Sequence, residues 1–228
     1  MPGDSTTDQL AQRLRGRAPR PLLSRSAEER LGQRHREILD ELEAMFRADG
    51  FSAFTIRELA AGVGCSRRTL YEIAASKDQL VLVVLDRLLH RAGRHALETI
   101  DVVDADLGVL DQLRRYLGGD IGLHFQASLY DDLADEPAAR RLLDRHFRYV
   151  MTVIEELVRL GVERGEVRPV DPAVVAATIA GASLYLSQPE VAEQVMTDAE
   201  RRPVHEMLDL ILPGLAADAG VAVPSSRS

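Results

Sequence analysis

The segment from Thr55 to Lys77, TIRELAAGVGCSRRTLYEIAASK, constrains the fold more than any other part of this chain. Two short helices crossing at a steep angle need a small residue at their contact, a residue free to take positive φ in the turn, and apolar side chains that lock one helix on the other. Ala60 supplies the first and Gly64 the second, while Leu59, Val63, Cys65, Leu70 and Ile73 form the wedge. Thr55 suits an N-cap with Glu58 three residues on, the pattern of a capping box, and Ser66 caps the second helix. With Leu70 turned inward, Arg67, Arg68, Thr69, Tyr71 and Glu72 point outward or sideways near the start of that helix. This is the end that a helix-turn-helix places in a DNA major groove.

The flanking sequence is helical as well. Ile38, Leu39, Leu42, Met45 and Phe46 form one stripe of a helix that Gly50 ends. A longer helix begins near Lys77 and runs through Leu80, Val81, Val84, Leu85 and Leu88 towards Ile100. Beyond a break, helices are expected at roughly 107–117, 120–133, 136–163, 171–187 and 190–216, divided by Gly118-Gly119, Pro137, the stretch from Gly165 to Pro172, and Pro189. No stretch keeps a strand period and no internal repeat is present. The fold class is therefore all-α. The expected division is an Arg- and Pro-rich flexible arm over 1–30, a helix-turn-helix domain over 31–80, a helical domain over 81–217 and a flexible tail over 218–228.

The net charge of −8 is unevenly spread. Residues 1–80 hold 13 Lys and Arg against 12 Asp and Glu, whereas residues 81–228 hold 15 against 24. The N-terminal part can meet DNA if its bases share one face; the acidic remainder is not expected to touch it. In the arm, Arg13, Arg15, Arg17, Arg20, Arg25 and Arg30 either enter a minor groove or merely solubilise, since Asp4, Asp8, Glu28 and Glu29 offset part of their charge. Cys65 is the lone cysteine, so neither an intrachain disulfide nor a cysteine-built zinc site is expected. It reads as a packing residue rather than a redox sensor. No secretion signal stands near Met1, and the longest apolar stretch, Ala173 to Leu186, is too short to span a membrane. A cytoplasmic protein without membrane contact is expected.

From about Arg34 to Leu89 the chain resembles the DNA-binding domain of the TetR family: an amphipathic first helix, TIRELAAGVG, then SRRTLY followed by SKDQL. The resemblance implies a transcriptional regulator that binds double-stranded operator DNA as a homodimer and, as a repressor, is released by a small-molecule effector. It implies a phosphate contact for Thr55, a groove position for Ser66, Arg67, Arg68 and Thr69, and phosphate contacts for Tyr71 and Lys77. Helix N-termini, hydroxyls and basic side chains are the usual phosphate partners, and Arg pairs bidentately with guanine. Which of Arg67 and Arg68 reads a base stays open. The sequence departs from the family at Glu72, Ile73 and Ala74; Glu72 either accepts from cytosine N4 or rejects wrong sites.

The helix over 171–187, DPAVVAATIAGASLYLS, is apolar on nearly every side and must be covered all round. With Val204, Met207, Leu208, Ile211, Leu212 and Leu215 of the last helix it forms either an intramolecular pair or, as the resemblance implies, half of a four-helix dimer interface. The resemblance also puts a ligand pocket among helices 107–163, where His124, Phe125, Tyr130, His146, Tyr149 and Met151 are candidate lining residues. No cofactor is expected, and no metal: His90 and His95 are spaced five apart and do not share a helical face. No phosphate-cradling loop, nucleophile elbow or catalytic His–acid pair occurs, so the chain is not read as an enzyme. The alternative to a ligand-released repressor is a ligand-independent DNA-binding regulator.

Overall fold

A computed structural model describes residues 6–101, 107–118, 127–186, 188–195 and 203–217. The helices, in chain order, are α1 (Thr6–Arg17), α2 (Arg25–Arg30), α3 (Gln33–Asp49), α4 (Ile56–Gly62), α5 (Arg67–Ile73), α6 (Lys77–Asp101), α7 (Val109–Gly118), α8 (Ala127–Asp135), α9 (Pro137–Glu163), α10 (Pro172–Leu186), α11 (Pro189–Val195) and α12 (Pro203–Ile211). A 3-10 turn, Leu212–Leu215, closes the last of them. The fold is all-α. The β-type pairing among the described residues is one isolated bridge between Val167 and Ala216, and no described helix is long and apolar enough to cross a membrane.

Two buried cores meet along α6. The first joins Ile38, Leu39, Leu42 and Phe46 of α3, Leu59 and Ala60 of α4, Leu70 and Ile73 of α5, and Leu80 to Leu89 on the first half of α6. It also takes in Leu129 and Leu133 of α8 and Ala139 and Leu142 of α9. The second core gathers Ala96, Leu97 and Ile100 from the far half of α6 with α7, the rest of α9, α10 and α12. One continuous helix is thus embedded in both units, and the boundary crosses α6 and α9 rather than falling at a single point in the chain.

The N-terminal region differs from the flexible arm expected over 1–30. Residues Thr6–Arg17 form α1, whose Leu10 and Leu14 are buried in the second core. Leu14 is fully covered, and its backbone carbonyl accepts the Tyr149 hydroxyl hydrogen at 2.8 Å. Arg13 and Arg17 each reach Glu156 of α9 at 3.0 Å. The physical reason is a one-turn apolar pair flanked by arginines: too short a stripe to read as a core helix, yet enough to dock once α9 offers an acid and a phenol. Of the helix expected over 190–216 the structure describes α11, α12 and the closing 3-10 turn, and 196–202 lie outside the described residues.

Candidate DNA-binding surface and regulatory cavity

The turn between α4 and α5 is built by local rules. Thr55 Oγ1 accepts from the Glu58 N–H at 3.3 Å, and the Thr55 N–H donates to Glu58 Oε2 at 2.8 Å, completing the capping box. The Thr55 N–H and hydroxyl, both donating to Glu58 Oε2 at 2.8 Å, hold the Glu58 carboxyl below its ordinary range, with the charges of Arg57 and Lys77 adding to the effect. Gly64 takes φ +59°, a left-handed conformation that costs a side-chain-bearing residue energy. Ser66 Oγ then accepts from the Thr69 N–H at 3.1 Å and caps α5. Arg34 of α3 secures the turn from behind, its Nη2 donating to the Val63 carbonyl at 2.9 Å. Arg34 was missed in the sequence, because a guanidinium seated on a helix's last carbonyls leaves no spacing signal.

Arg67, Arg68, Tyr71 and Glu72 are exposed on α5, with Thr69 half-buried between them. Arg67 makes no ion pair among the described residues, while Arg68 Nε lies 3.5 Å from Glu72 Oε1. Glu72 also reaches across to α3, with Oε2 at 3.4 Å from His35 Nε2. Lys77, at the start of α6, donates from Nζ to the Ser52 carbonyl at 3.2 Å. Thr55, Ser66 and Lys77 therefore begin three successive helices around one turn, and their polar groups are already engaged in holding it. Cys65 is half-buried beside Gly64; burial raises its thiol pKa above the ordinary value.

Of the candidate pocket residues, His124 and Phe125 lie outside the described residues, as does the side chain of Tyr130. His146 and Tyr149 are buried, and Met151 packs at the edge of the second core. None of these three lines an open groove of about 700 Å³ bounded by His95, Glu98 and Thr99 of α6, Arg114, Arg115 and Gly118 of α7, and His205 of α12. Gly118 permits this closure, since a β-carbon there would stand 3.0 Å from His205 Nε2. The His205 Nδ1 is buried with no hydrogen-bond partner. These polar side chains read as surface in the sequence, and only the approach of α7 and α12 to α6 makes them a cavity wall.

His146 instead meets α6. Its Nδ1 lies 3.1 Å from the Leu142 carbonyl, and its ring stands edge-on to His90 with centroids 4.7 Å apart. Asp86, one turn before His90, is buried; its Oδ2 accepts from the Leu22 N–H at 2.7 Å and its Oδ1 from Arg145 at 2.9 Å. Burial pushes the Asp86 carboxyl up, but His90 and the Leu22 N–H outweigh it and leave the group below its ordinary range. Burial pushes His146 the other way, below the ordinary histidine value, which favours its neutral ring.

The model of the family described as bacterial regulatory proteins, tetR family, matches residues 38–84. An uncharacterised helix-turn-helix transcriptional regulator of Bacillus subtilis, YvaF, is 37% identical over 82 residues, 36% of this chain. The match spans 42% of that relative's length. The helix-turn-helix transcriptional repressor KstR2 of Mycobacterium tuberculosis is 28% identical over 151 residues, covering 61% of this chain and 72% of the relative. Among solved structures, AibR in complex with isovaleryl coenzyme A and operator DNA aligns at a TM-score of 0.56 and 18% identity, over 81% of this chain and 99% of that one. That last likeness is one of fold.

Proposed function

Because the chain belongs to the TetR family of transcriptional regulators, we propose that it is a homodimeric repressor that reads operator DNA with α5 and leaves it when a small molecule enters the cavity between α6, α7 and α12. The observation that carries the DNA-binding part is the Ser66-capped start of α5, where Arg67, Arg68 and Tyr71 stand exposed. One of Arg67 and Arg68 reads a base while the other neutralises phosphate, Thr69 lies at the groove, and Thr55, Ser66, Tyr71 and Lys77 position the protein on phosphates.

The dimer reading rests on α10. Val175, Ala176, Ile179 and Ala180 face the second core, whereas Val174, Ala177, Thr178, Gly181, Leu184 and Tyr185 recur at helical spacing on the exposed side. Val174 is 61% and Tyr185 59% exposed, and Leu210 on the neighbouring α12 is 82% exposed. A second copy would cover this continuous apolar stripe, completing the four-helix interface.

The effector reading rests on the cavity's size and chemistry. About 700 Å³ suits a small organic ligand. Arg115 on its wall, beside an Arg114 whose partner is Asp209, favours an anionic group. AibR, solved in complex with isovaleryl coenzyme A and operator DNA, gives a precedent on this fold for an anionic ligand. Ligand contacts to His95, Glu98 and Thr99 would act on the same helix that begins at Lys77, so a shift of α6 would change the spacing of the two reading heads.

The test is selection of host-genome fragments by the purified protein, followed by affinity measurement on the recovered site. Inverted half-sites about one helical turn apart are expected. Arg67→Ala and Arg68→Ala should each weaken binding, one with relaxed sequence preference. Unchanged affinity for both would remove the surface assignment, and a cavity ligand that binds without altering operator affinity would leave a ligand-independent regulator.

A further inference from the structure

We propose that Asp86, His90 and His146 bind one divalent transition-metal ion of the zinc class at the junction of α6 and α9, a site independent of the effector cavity. The three side chains present a carboxylate oxygen and two ring nitrogens, all within 4.8 Å of one another. Asp86 and His90 are four residues apart on α6 and share one face, and His146 comes from the opposing helix.

The tautomer of His146 follows from its surroundings. Nδ1 faces the Leu142 carbonyl, which can only accept, so Nδ1 carries the hydrogen and Nε2 is left with a lone pair. That Nε2 is buried with no partner, in a residue 8% exposed. An unpaired buried acceptor is costly, and a ring fixed by a backbone carbonyl through its other nitrogen is how metal-ligating histidines are commonly oriented. His90 Nε2 is likewise buried without a hydrogen bond, 3.5 Å from Asp86 Oδ1.

Metal bonds of about 2.0–2.2 Å in a tetrahedral site place ligand atoms roughly 3.4 Å apart; Asp86 Oδ1 and His90 Nε2 already stand 3.5 Å apart, so it is His146 that must close, by up to about 1.4 Å. Mixed nitrogen and oxygen donors without a thiolate suit zinc, cobalt, nickel or copper(II), and three protein ligands leave a position open to water. A space of about 30 Å³ beside Asp86 and His90 has room for that water.

Arg145 makes the proposal discriminating. Its Nη2 holds Asp86 Oδ1 at 2.9 Å, the same oxygen that faces His90, while Leu22 holds Oδ2. A metal ion on Oδ1 competes with the guanidinium for that oxygen, and the Arg145 side chain, already 36% exposed, can turn to solvent. One cation replaces another on a buried carboxylate, and the tie between α6 and α9 passes from Arg145 to His146.

The experiment is titration of the metal-stripped full-length protein with cobalt(II), followed by visible ligand-field absorption. One cobalt per chain is expected, with bands of a low-coordinate nitrogen and oxygen site and no thiolate charge transfer. His90→Gln and His146→Gln should each weaken binding at least tenfold, whereas Arg145→Gln should tighten it several-fold. No bound cobalt in the native protein overturns the proposal, as does undiminished binding in the histidine variants or weaker binding in Arg145→Gln. Should a histidine variant fail to fold, the Arg145 variant decides alone, because a purely structural ion-pair network predicts no gain in metal affinity.

Discussion

Glu72 holds Arg68 from one turn away on the exposed face of α5, with Oε1 3.5 Å from the guanidinium Nε. The pair is solvent-exposed, and such pairs contribute about 0–1 kcal/mol, so DNA can draw Arg68 away at little cost. The carboxylate left behind then lies beside incoming phosphates and repels them wherever it finds no donor. Glu72→Gln is expected to raise affinity for random DNA several-fold while raising operator affinity less. The slope of log affinity against log salt should steepen by about one phosphate equivalent. Binding titrations on operator and random duplexes at several salt concentrations check this, and equal gains on both would show that Glu72 carries no discrimination.

A second relationship concerns α1. Leu14 is fully buried, and the Tyr149 hydroxyl donates to its carbonyl at 2.8 Å. Leu14→Ala removes buried methyl groups and is expected to cost about 2–5 kcal/mol, whereas Tyr149→Phe removes one hydrogen bond and leaves a buried carbonyl short, costing about 1–3 kcal/mol. Urea denaturation followed by helical circular dichroism measures both. If α1 serves only as a dock for α9, operator affinity of the folded variants stays at the native level.

The helix-turn-helix was legible because its determinants are neighbours in sequence. Thr55 and Glu58 close a capping box, Gly64 takes positive φ and Ser66 caps the next helix, each decided within four residues. The docking of α1 was not legible, because Leu10 and Leu14 make too short a stripe and their partner Tyr149 lies on a distant helix. The Asp86, His90 and His146 cluster was hidden for the same reason: comparing His90 with His95 tests one helix face, while the third donor arrives from α9. The apolar α10 lies between these cases. Its composition demanded cover on every side, and the monomer covers only the side bearing Val175, Ala176, Ile179 and Ala180.

That uncovered side yields a sharp expectation. A β-carbon at Gly181 would meet no atom within 4 Å, and Tyr185 one turn further on is 59% exposed. Gly181→Arg and Tyr185→Asp should therefore leave the subunit fold intact while placing charge in the proposed interface. Sedimentation equilibrium should show monomers for the variants and dimers for the native chain, and operator affinity should fall by orders of magnitude because each subunit then binds one half-site alone. Dimeric variants with native affinity would place the interface elsewhere.

Cys65 distinguishes a packing role from a redox one. The thiol sits half-buried against the first core, and burial raises its pKa above the ordinary 9.0. Thiolate is the reactive species, so at neutral pH the folded protein holds less of it than an unfolded chain does. As pH rises, the unfolded thiol ionises first and the folded one follows at higher pH. Alkylation by iodoacetamide should therefore be slower in the native protein than in urea at pH 7, and the rates should draw together only at higher pH, once the native thiol ionises as well. A native rate at pH 7 equal to or above the unfolded one would mean an activated thiolate, and the side chain would then belong to a sensor rather than to the wedge behind Gly64.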